Sequence, residues 1–211
     1  TAGVRPGYLG AVAAGTVFVE NRYTDWGNYR PHWTLRNFWS LAAFVDPVRL
    51  RMEFLNNTRN TKKYKDELAP ATYPPAYLFA SVMLGSPLAW FEVSALPDAF
   101  AEEVAALVAV WKEHRDRLHG GHIIPIGAVP DGHRWTGFAS IARDRRTGYL
   151  LVLREVNDKK KWRTTVPLVK DAAGTATVLA GEGTAALSGG AVAVTIPSPR
   201  GYLFVKLDFE K

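Results

Sequence analysis

The chain has 211 residues, no cysteine and a formal net charge of +6. Without cysteine it can form no disulfide, no thiolate metal site and no cysteine nucleophile. Hydrophobic residues make up 47% and charged residues 22% of the sequence, as in an ordinary globular protein, and no apolar run approaches the roughly 20 residues that span a bilayer. We therefore expect a globular protein with one or two hydrophobic cores and no membrane partner.

The excess positive charge lies mainly after residue 130, and much of it is local. Lys159, Lys160, Lys161 and Arg163 stand together between two strand-like runs, where a solvated hairpin turn is expected. A nucleic-acid surface needs basic residues spread along one face, so we expect no nucleic-acid partner. An unrelated α/β protein with a basic β module for other polyanions stays open as an interpretation, provided that this turn joins a wider positive patch.

The first 125 residues alternate between strand-like and helical patterns. The patterns predict strands over residues 16–19, 50–55 and 88–93, and helices over residues 33–45, 76–84 and 97–118. Three strand–helix units in succession predict parallel strands with right-handed crossovers. Their repeat length is that of a (β/α) barrel, but three units cannot close an eight-stranded barrel. The other strands would come from an upstream portion of a longer parent or from a partner chain, or else the units form a small open sheet.

The helical period disappears at about residue 131. Short β-type runs follow over residues 135–142, 148–156, 163–169, 175–179, 191–196 and 201–209, separated by turn residues. Such spacing predicts an antiparallel β-sandwich. The predicted fold class is therefore α/β plus all-β: a partial (β/α) barrel over residues 1–128, followed by an antiparallel β-sandwich over residues 129–211.

Several separated segments, in chain order, carry a family resemblance. They are residues 18–26, 33–37, 53–57, 87–92, 114–115 and 122–127. Together they resemble the end of bacterial melibiase-like glycoside hydrolases, the α-galactosidase type, over roughly residues 15–155. Enzymes of that family have a (β/α) barrel whose last three strands run directly into an antiparallel β-sandwich, which is the order that periodicity predicts for this chain.

The resemblance implies retaining hydrolysis of α-galactosides by two carboxylates about 5–5.5 Å apart, with no cofactor and no metal. The nucleophile would lie on a mid-barrel strand before residue 1, so the isolated chain should lack half of the catalytic pair. If the first strand of this chain corresponds to the sixth barrel strand, Glu20 or Asp25 is the general acid/base. The family has Ser-Asp followed shortly by Thr-Asp at this place. Thr24-Asp25 matches the second half, whereas Asn21-Arg22 stands where the first half would be.

Residues on or just after the three predicted strands are candidate contacts for the sugar. They are Arg22, Trp26, Asn56, Asn57, Trp90 and Glu92. Trp26 lies in a loop, where a large aromatic ring is suited to stacking on a sugar. Trp90 and Glu92 are two residues apart on a strand and therefore face the same side.

Each candidate also has a structural alternative. Asp25 could cap the turn before Trp26 or pair with Arg30, and Glu20 could form an ion pair with Arg22. Asn56 and Asn57 could simply form a turn, and Trp90 could belong to the barrel core.

The sequence therefore predicts the C-terminal portion or a subunit of a glycoside hydrolase, with a carbohydrate, most specifically an α-galactoside, as substrate. The alternative is a non-catalytic carbohydrate-binding or structural subunit that keeps the fold without the chemistry. The two differ in whether another portion of the enzyme supplies a nucleophilic carboxylate and whether Asp25 or Glu20 faces it.

Overall fold

The computed structural model describes residues 15–19, 29–58, 61–89, 91, 93 and 96–210. The chain divides into two compact units, with the boundary between Ala109 and Val110. The first unit contains a parallel sheet with helices, and the second contains antiparallel sheets. The predicted combination of α/β and β structure is confirmed.

The described part of the first unit is built on three parallel strands. Strand β1 (Val17–Phe18), helix α1 (Pro31–Leu41), strand β2 (Leu50–Phe54), helix α2 (Pro75–Ala80) and strand β3 (Ser86–Ala89) follow one another along the chain. The strands lie in the order β1-β2-β3 in an open sheet, with Val17 opposite Leu50 and Arg51 opposite Ser86. The predicted succession of parallel strand–helix units is therefore present.

The two short helices of the first unit supply much of its core. Helix α1 begins at Pro31, whose fixed φ suits a first helical turn and whose missing N–H would have no helical partner there. Its buried face is formed by Leu35 and Phe38. The helix ends at Leu41, before the predicted end at residue 45, and Asp46 then accepts a hydrogen bond from the N–H of Val48 at 3.3 Å. Helix α2 and the turn at residues 81–84 are almost wholly buried, as their apolar sequence predicts.

The longest helix, α3 (Asp98–Gly120), has 23 residues. Asp98 lies in its first turn, and Arg117 and His119 lie in its last turn. These charges complement the partial positive and negative ends of the helix dipole. The boundary between the two units falls inside this helix.

Within its described residues, 110–210, the second unit contains the end of α3 and eight strands in two antiparallel sheets. The strands are β4 (His122–Gly127), β5 (Thr136–Ile141), β6 (Thr147–Arg154), β7 (Lys161–Thr165), β8 (Gly174–Gly181), β9 (Thr184–Ser188), β10 (Ala191–Thr195) and β11 (Gly201–Phe209). One sheet has the order β4-β5-β6-β11-β8 and the other β7-β10-β9. Leu150 and Leu203 from the larger sheet share a core with Val192 and Val194 from the smaller one. Between these two valines Ala193 is exposed, which is the alternation expected of a strand with one buried face.

The boundary between the units differs from the predicted position after residue 128. Strand β4 lies before that position but pairs with β5, with Ile124 opposite Ala139, so one sheet continues across it. Ile123 and Ile126 are buried, which ties β4 to the second unit. The sequence predicts the boundary where helical periodicity ends, after α3. In the structure the boundary between the two units lies within that helix, between Ala109 and Val110.

Candidate functional site

The parallel sheet brings the carboxyl ends of β1, β2 and β3 to one edge. Phe18 lies opposite Arg51, and Phe54 at the end of β2 lies opposite Ala89 at the end of β3. In α/β proteins, ligands bind at the carboxyl ends of parallel strands. Along the sequence, the candidate site residues come shortly after the ends of these three strands.

Six of the eight candidate site residues lie outside the described part of the chain. They are Glu20, Arg22, Asp25, Trp26, Trp90 and Glu92. Their roles therefore stay predictions. Asn56 and Asn57, just after β2, are described, and the two side chains differ in what they do.

Asn57 fastens the loop that follows β2. Its side chain is buried, and Nδ2 donates hydrogen bonds to the carbonyl oxygens of Pro70 at 3.0 Å and Tyr73 at 2.7 Å. These two carbonyls flank a short 3₁₀ turn, Pro70–Thr72, that leads into α2. The amide group of Asn57 thus joins the end of β2 to the start of the next helix.

The side chain of Asn56 forms a local turn through its oxygen, while its Nδ2 donor is not used in that turn. Its Oδ1 accepts hydrogen bonds from the N–H of Thr58 at 2.9 Å and from the Thr58 hydroxyl at 2.6 Å. Because a backbone N–H can only donate, the oxygen must face Thr58, and this fixes the orientation of the amide. Nδ2 is buried and has no hydrogen-bond partner within the described residues. Leaving a buried donor unsatisfied costs about 1–3 kcal/mol, so a ligand oxygen at this place would be bound favourably.

Glu53 is a further residue at this edge, and the sequence alone did not single it out. It lies on β2 and is fully buried. Besides the pairing of its backbone in the sheet, it takes part in a further interaction. Buried carboxylates are uncommon unless they are paired or functional. One feature of the sequence could have identified Glu53: it is an acidic residue within the apolar segment Met52 to Leu55 at the end of the predicted strand.

A bidentate ion pair holds the start of α1. Arg30, the residue before that helix, donates from Nη1 to Oδ1 of Asp66 at 2.8 Å and from Nη2 to Oδ2 at 2.7 Å. Its guanidinium also lies over the ring of Tyr64, 4.0 Å from the ring centroid. The hydrogen bonds from Arg30 hold the pKa of the Asp66 carboxyl below its usual value. From the sequence, Arg30 is a candidate ion-pair partner of Asp25. In the structure, Arg30 forms an ion pair with Asp66.

The described residues also bear on two other kinds of site, a metal centre and a membrane span. Among them, no group of three or more His, Cys, Asp or Glu side chains is placed to hold a metal ion. No helix in that part of the chain is both long and apolar enough to cross a membrane.

The fold is thus a parallel α/β unit that runs into an antiparallel β unit, with polar side chains at the carboxyl edge of the parallel sheet. It resembles solved structures of GH36 α-galactosidases. The α-galactosidase AgaA of Geobacillus stearothermophilus matches with a TM-score of 0.63 at 13% sequence identity, over 87% of this chain and 25% of that one. A variant of AgaA in complex with raffinose matches with a TM-score of 0.63 at 11% identity and the same coverage, 87% and 25%.

The galactosidase domain of the α-galactosidase–sucrose kinase AgaSK matches similarly, with a TM-score of 0.62 at 10% identity over 87% of this chain and 25% of that one. The chain therefore spans about a quarter of the length of these enzymes. At such identities the likeness establishes a shared fold, and the resemblance predicted from the sequence is confirmed at that level. Neither a protein-family model nor a curated protein matches the sequence.

Proposed function

We propose that the chain is the C-terminal portion or a subunit of a glycoside hydrolase that acts on α-galactosides. In this proposal β1, β2 and β3 are the last strands of a (β/α) barrel, and the two antiparallel sheets form the β-sandwich that follows it. The observation that carries the proposal is the match of 87% of the chain to one quarter of GH36 α-galactosidases at a TM-score of 0.63. The resemblance of the strand-end segments points independently to the same group.

The proposed reaction is retaining hydrolysis by two carboxylates. Asp25 or Glu20, after β1, protonates the leaving-group oxygen, while a nucleophilic carboxylate from another portion of the enzyme attacks the anomeric carbon. Retention requires these carboxyl groups to be about 5–5.5 Å apart. Once the glycosyl-enzyme intermediate has formed, the same acid/base takes a proton from the attacking water.

The sugar is held, in this proposal, by side chains from all three strand ends. Arg22 and Trp26 follow β1, Asn56 follows β2, and Trp90 and Glu92 follow β3. Asn56 has the firmest support, because its buried Nδ2 can donate to a sugar hydroxyl. Asn57 contributes indirectly, since it anchors the loop on which Asn56 lies.

A comparison of the chain alone with an assembled enzyme tests this function. The isolated chain should not hydrolyse an aryl α-galactoside, whereas the chain joined to the portion that supplies the remaining barrel strands should do so. Turnover by the isolated chain would show that both carboxylates lie within it. Absence of activity towards α- and β-glycosides of several sugars after successful assembly would remove the hydrolase proposal altogether.

A non-catalytic carbohydrate-binding or structural subunit is the second candidate. The observation that favours it is Asn21-Arg22, which stands where the family resemblance implies Ser-Asp. For a binding subunit, the assembled protein should bind a galactose-configured inhibitor, as measured by calorimetry, without hydrolysing any galactoside. A protein with only a structural role should do neither.

A further inference from the structure

A cavity lies wholly within the second unit. The cavity has a volume of about 380 Å³ and lies between the last turn of α3 and the turn that joins β5 to β6. Arg117 lines it from the helix, and Arg143, Asp144, Thr147 and Tyr149 line it from the hairpin. None of these residues belongs to the proposed glycosidase site.

Positive charge predominates around this cavity. Arg143 makes no hydrogen bond or ion pair with any residue in the described part of the chain. Arg117 interacts with the hydroxyl of Tyr149 and, among the described residues, has no carboxylate partner. Asp144, the only acid among the described residues of the lining, already accepts a hydrogen bond from the N–H of Arg146 at 3.0 Å, which holds the turn in shape. The Arg143 guanidinium and the Arg117 N–H groups that do not contact Tyr149 are therefore left for a ligand, and with Asp144 the lining keeps a net positive charge.

The buried wall of the cavity is formed by Tyr149, whose ring is enclosed by its neighbours. Tyr149 is only 2% exposed, and its ring stacks on Phe204 with centroids 5.6 Å apart and planes inclined by 18°. Its hydroxyl lies 3.2 Å from Nδ1 of His114. A sugar could not stack on a ring so enclosed, so recognition at this cavity must rely on charge and hydrogen bonds.

We propose that this cavity binds a small ligand that carries an oxyanion, namely a phosphate, sulfate or carboxylate group held between Arg117 and Arg143. Guanidinium groups bind such anions through paired, charge-assisted hydrogen bonds. The cavity is larger than a bare ion needs and falls within the usual range for small-molecule sites. It therefore has room for a sugar unit attached to the anion. A metal cation would be repelled by the two arginines. The proposal does not depend on the hydrolase function.

Calorimetric titration of the whole chain tests this site. Inorganic phosphate and galacturonate serve as charged probes, galactose as the uncharged match for galacturonate, and sodium chloride keeps the ionic strength constant. At least one of the two anions should bind with a one-to-one saturable isotherm, and galactose should not. Arg117→Gln and Arg143→Gln should each weaken binding by about tenfold or more, because each removes a charge-assisted contact.

Two arginines beside the cavity provide matched controls. Arg115 lies on the same helix against Trp111, and Arg145 lies in the same hairpin turn, but neither lines the cavity. Arg115→Gln and Arg145→Gln should leave the affinity within about twofold, since both side chains are exposed, lie outside the lining and carry charge that is screened by solvent. Equal weakening by the cavity and control variants would show diffuse attraction to a basic surface and overturn the proposal. So would the absence of saturable binding for both anions. Phosphate binding alone would identify a phosphate site, and galacturonate binding alone a site for acidic sugars.

Discussion

Glu20 and Asp25 follow β1 in the sequence, and in the proposed barrel the carboxyl ends of the strands are where catalytic groups collect. In the assembled enzyme, Asp25→Asn should lower kcat/KM by about two to four orders of magnitude for galactosides with poor leaving groups. The loss should be much smaller for an activated aryl galactoside, because a good leaving group needs little protonation. Steady-state kinetics on a series of substrates with graded leaving-group pKa measures this difference.

Glu20→Gln is the matched control for that experiment. It should alter binding or stability more than the dependence on the leaving group. If Glu20→Gln shows the strong dependence and Asp25→Asn does not, the two roles must be exchanged. If neither variant shows it, the acid/base lies elsewhere and the correspondence of β1 to the sixth barrel strand fails.

The neighbouring residues Asn56 and Asn57 allow a structural role and a binding role to be separated. Asn57→Ala should lower the free energy of unfolding by about 1–3 kcal/mol, because the buried Tyr73 carbonyl and the partly buried Pro70 carbonyl lose their hydrogen bonds. Asn56→Ala also loses its turn contacts with Thr58, but it removes a donor that is unsatisfied in the protein itself. We therefore expect it to destabilise the protein less and to weaken binding of a galactose-configured inhibitor more.

Denaturant unfolding and inhibitor titration on the same two proteins decide the point. Asn56→Ala with unchanged inhibitor affinity would assign Asn56 to the turn alone. A larger stability loss for Asn56→Ala than for Asn57→Ala would make Asn56, rather than Asn57, the main structural anchor of this loop.

At the scale of single elements, strand β5 depends on a glycine, Gly137, at its second residue. A Cβ placed on Gly137 would lie 2.0 Å from the carbonyl oxygen of Leu151 on the neighbouring strand. Because that atom belongs to the backbone, the contact cannot be relieved by a side-chain rotation. Gly137→Ala should therefore lower the free energy of unfolding by about 1–3 kcal/mol, the usual effect of overpacking.

Gly120 at the end of α3 is the matched glycine. A Cβ there meets nothing within 4 Å, and the backbone is not in the left-handed region. Gly120→Ala should be neutral or stabilise the protein by up to about 1 kcal/mol, by restricting the unfolded chain. Chemical denaturation of both variants measures the contrast, and equal effects would argue against a close approach of β5 and β6 at Gly137.

The sequence predicts some elements well and misses others for a physical reason. Strands β1 to β3 and their helices are marked by apolar periodicity, but their ends differ from the prediction. Helix α1 ends at Leu41, ahead of the stop at Asp46-Pro47, and β3 spans Ser86–Ala89 rather than residues 88–93. Strands β4 and β9 were not predicted, and both lie at sheet edges. Pro125 interrupts the ladder of β4, which only an edge strand tolerates, and β9 is rich in alanine, which favours strands weakly. Their β structure is imposed by partners distant in sequence.

The candidate site shows the same division. Chain order and turn residues were enough to predict that polar side chains follow parallel strands at one edge. The full burial of Glu53 and the different partners of Asn56 and Asn57 depend on packing across the unit, which periodicity does not record. The position of polar residues after the strands was therefore predictable from the sequence. The different roles of neighbouring side chains, such as Asn56 and Asn57, were not.

For the whole molecule, the position of the unit boundary makes a testable difference. We propose that residues from Val110 onward fold as one unit, so a fragment of residues 110–211 should unfold cooperatively. A fragment of residues 129–211, cut at the position that the sequence favoured, should be much less stable. It lacks strand β4 and the hydrogen bond from the Ser140 hydroxyl to the Leu118 carbonyl.

The size of the difference follows from burial. Ile123 and Ile126 are both buried on β4, and burying such side chains contributes about 1.5–3 kcal/mol each, so their loss alone should lower the unfolding free energy by at least about 3 kcal/mol. That is a large part of the roughly 5–15 kcal/mol typical of a domain. Thermal and urea unfolding of the two fragments, followed by circular dichroism, measures it. Equal stability would return the boundary to residue 128 and make β4 a peripheral addition to the antiparallel sheet.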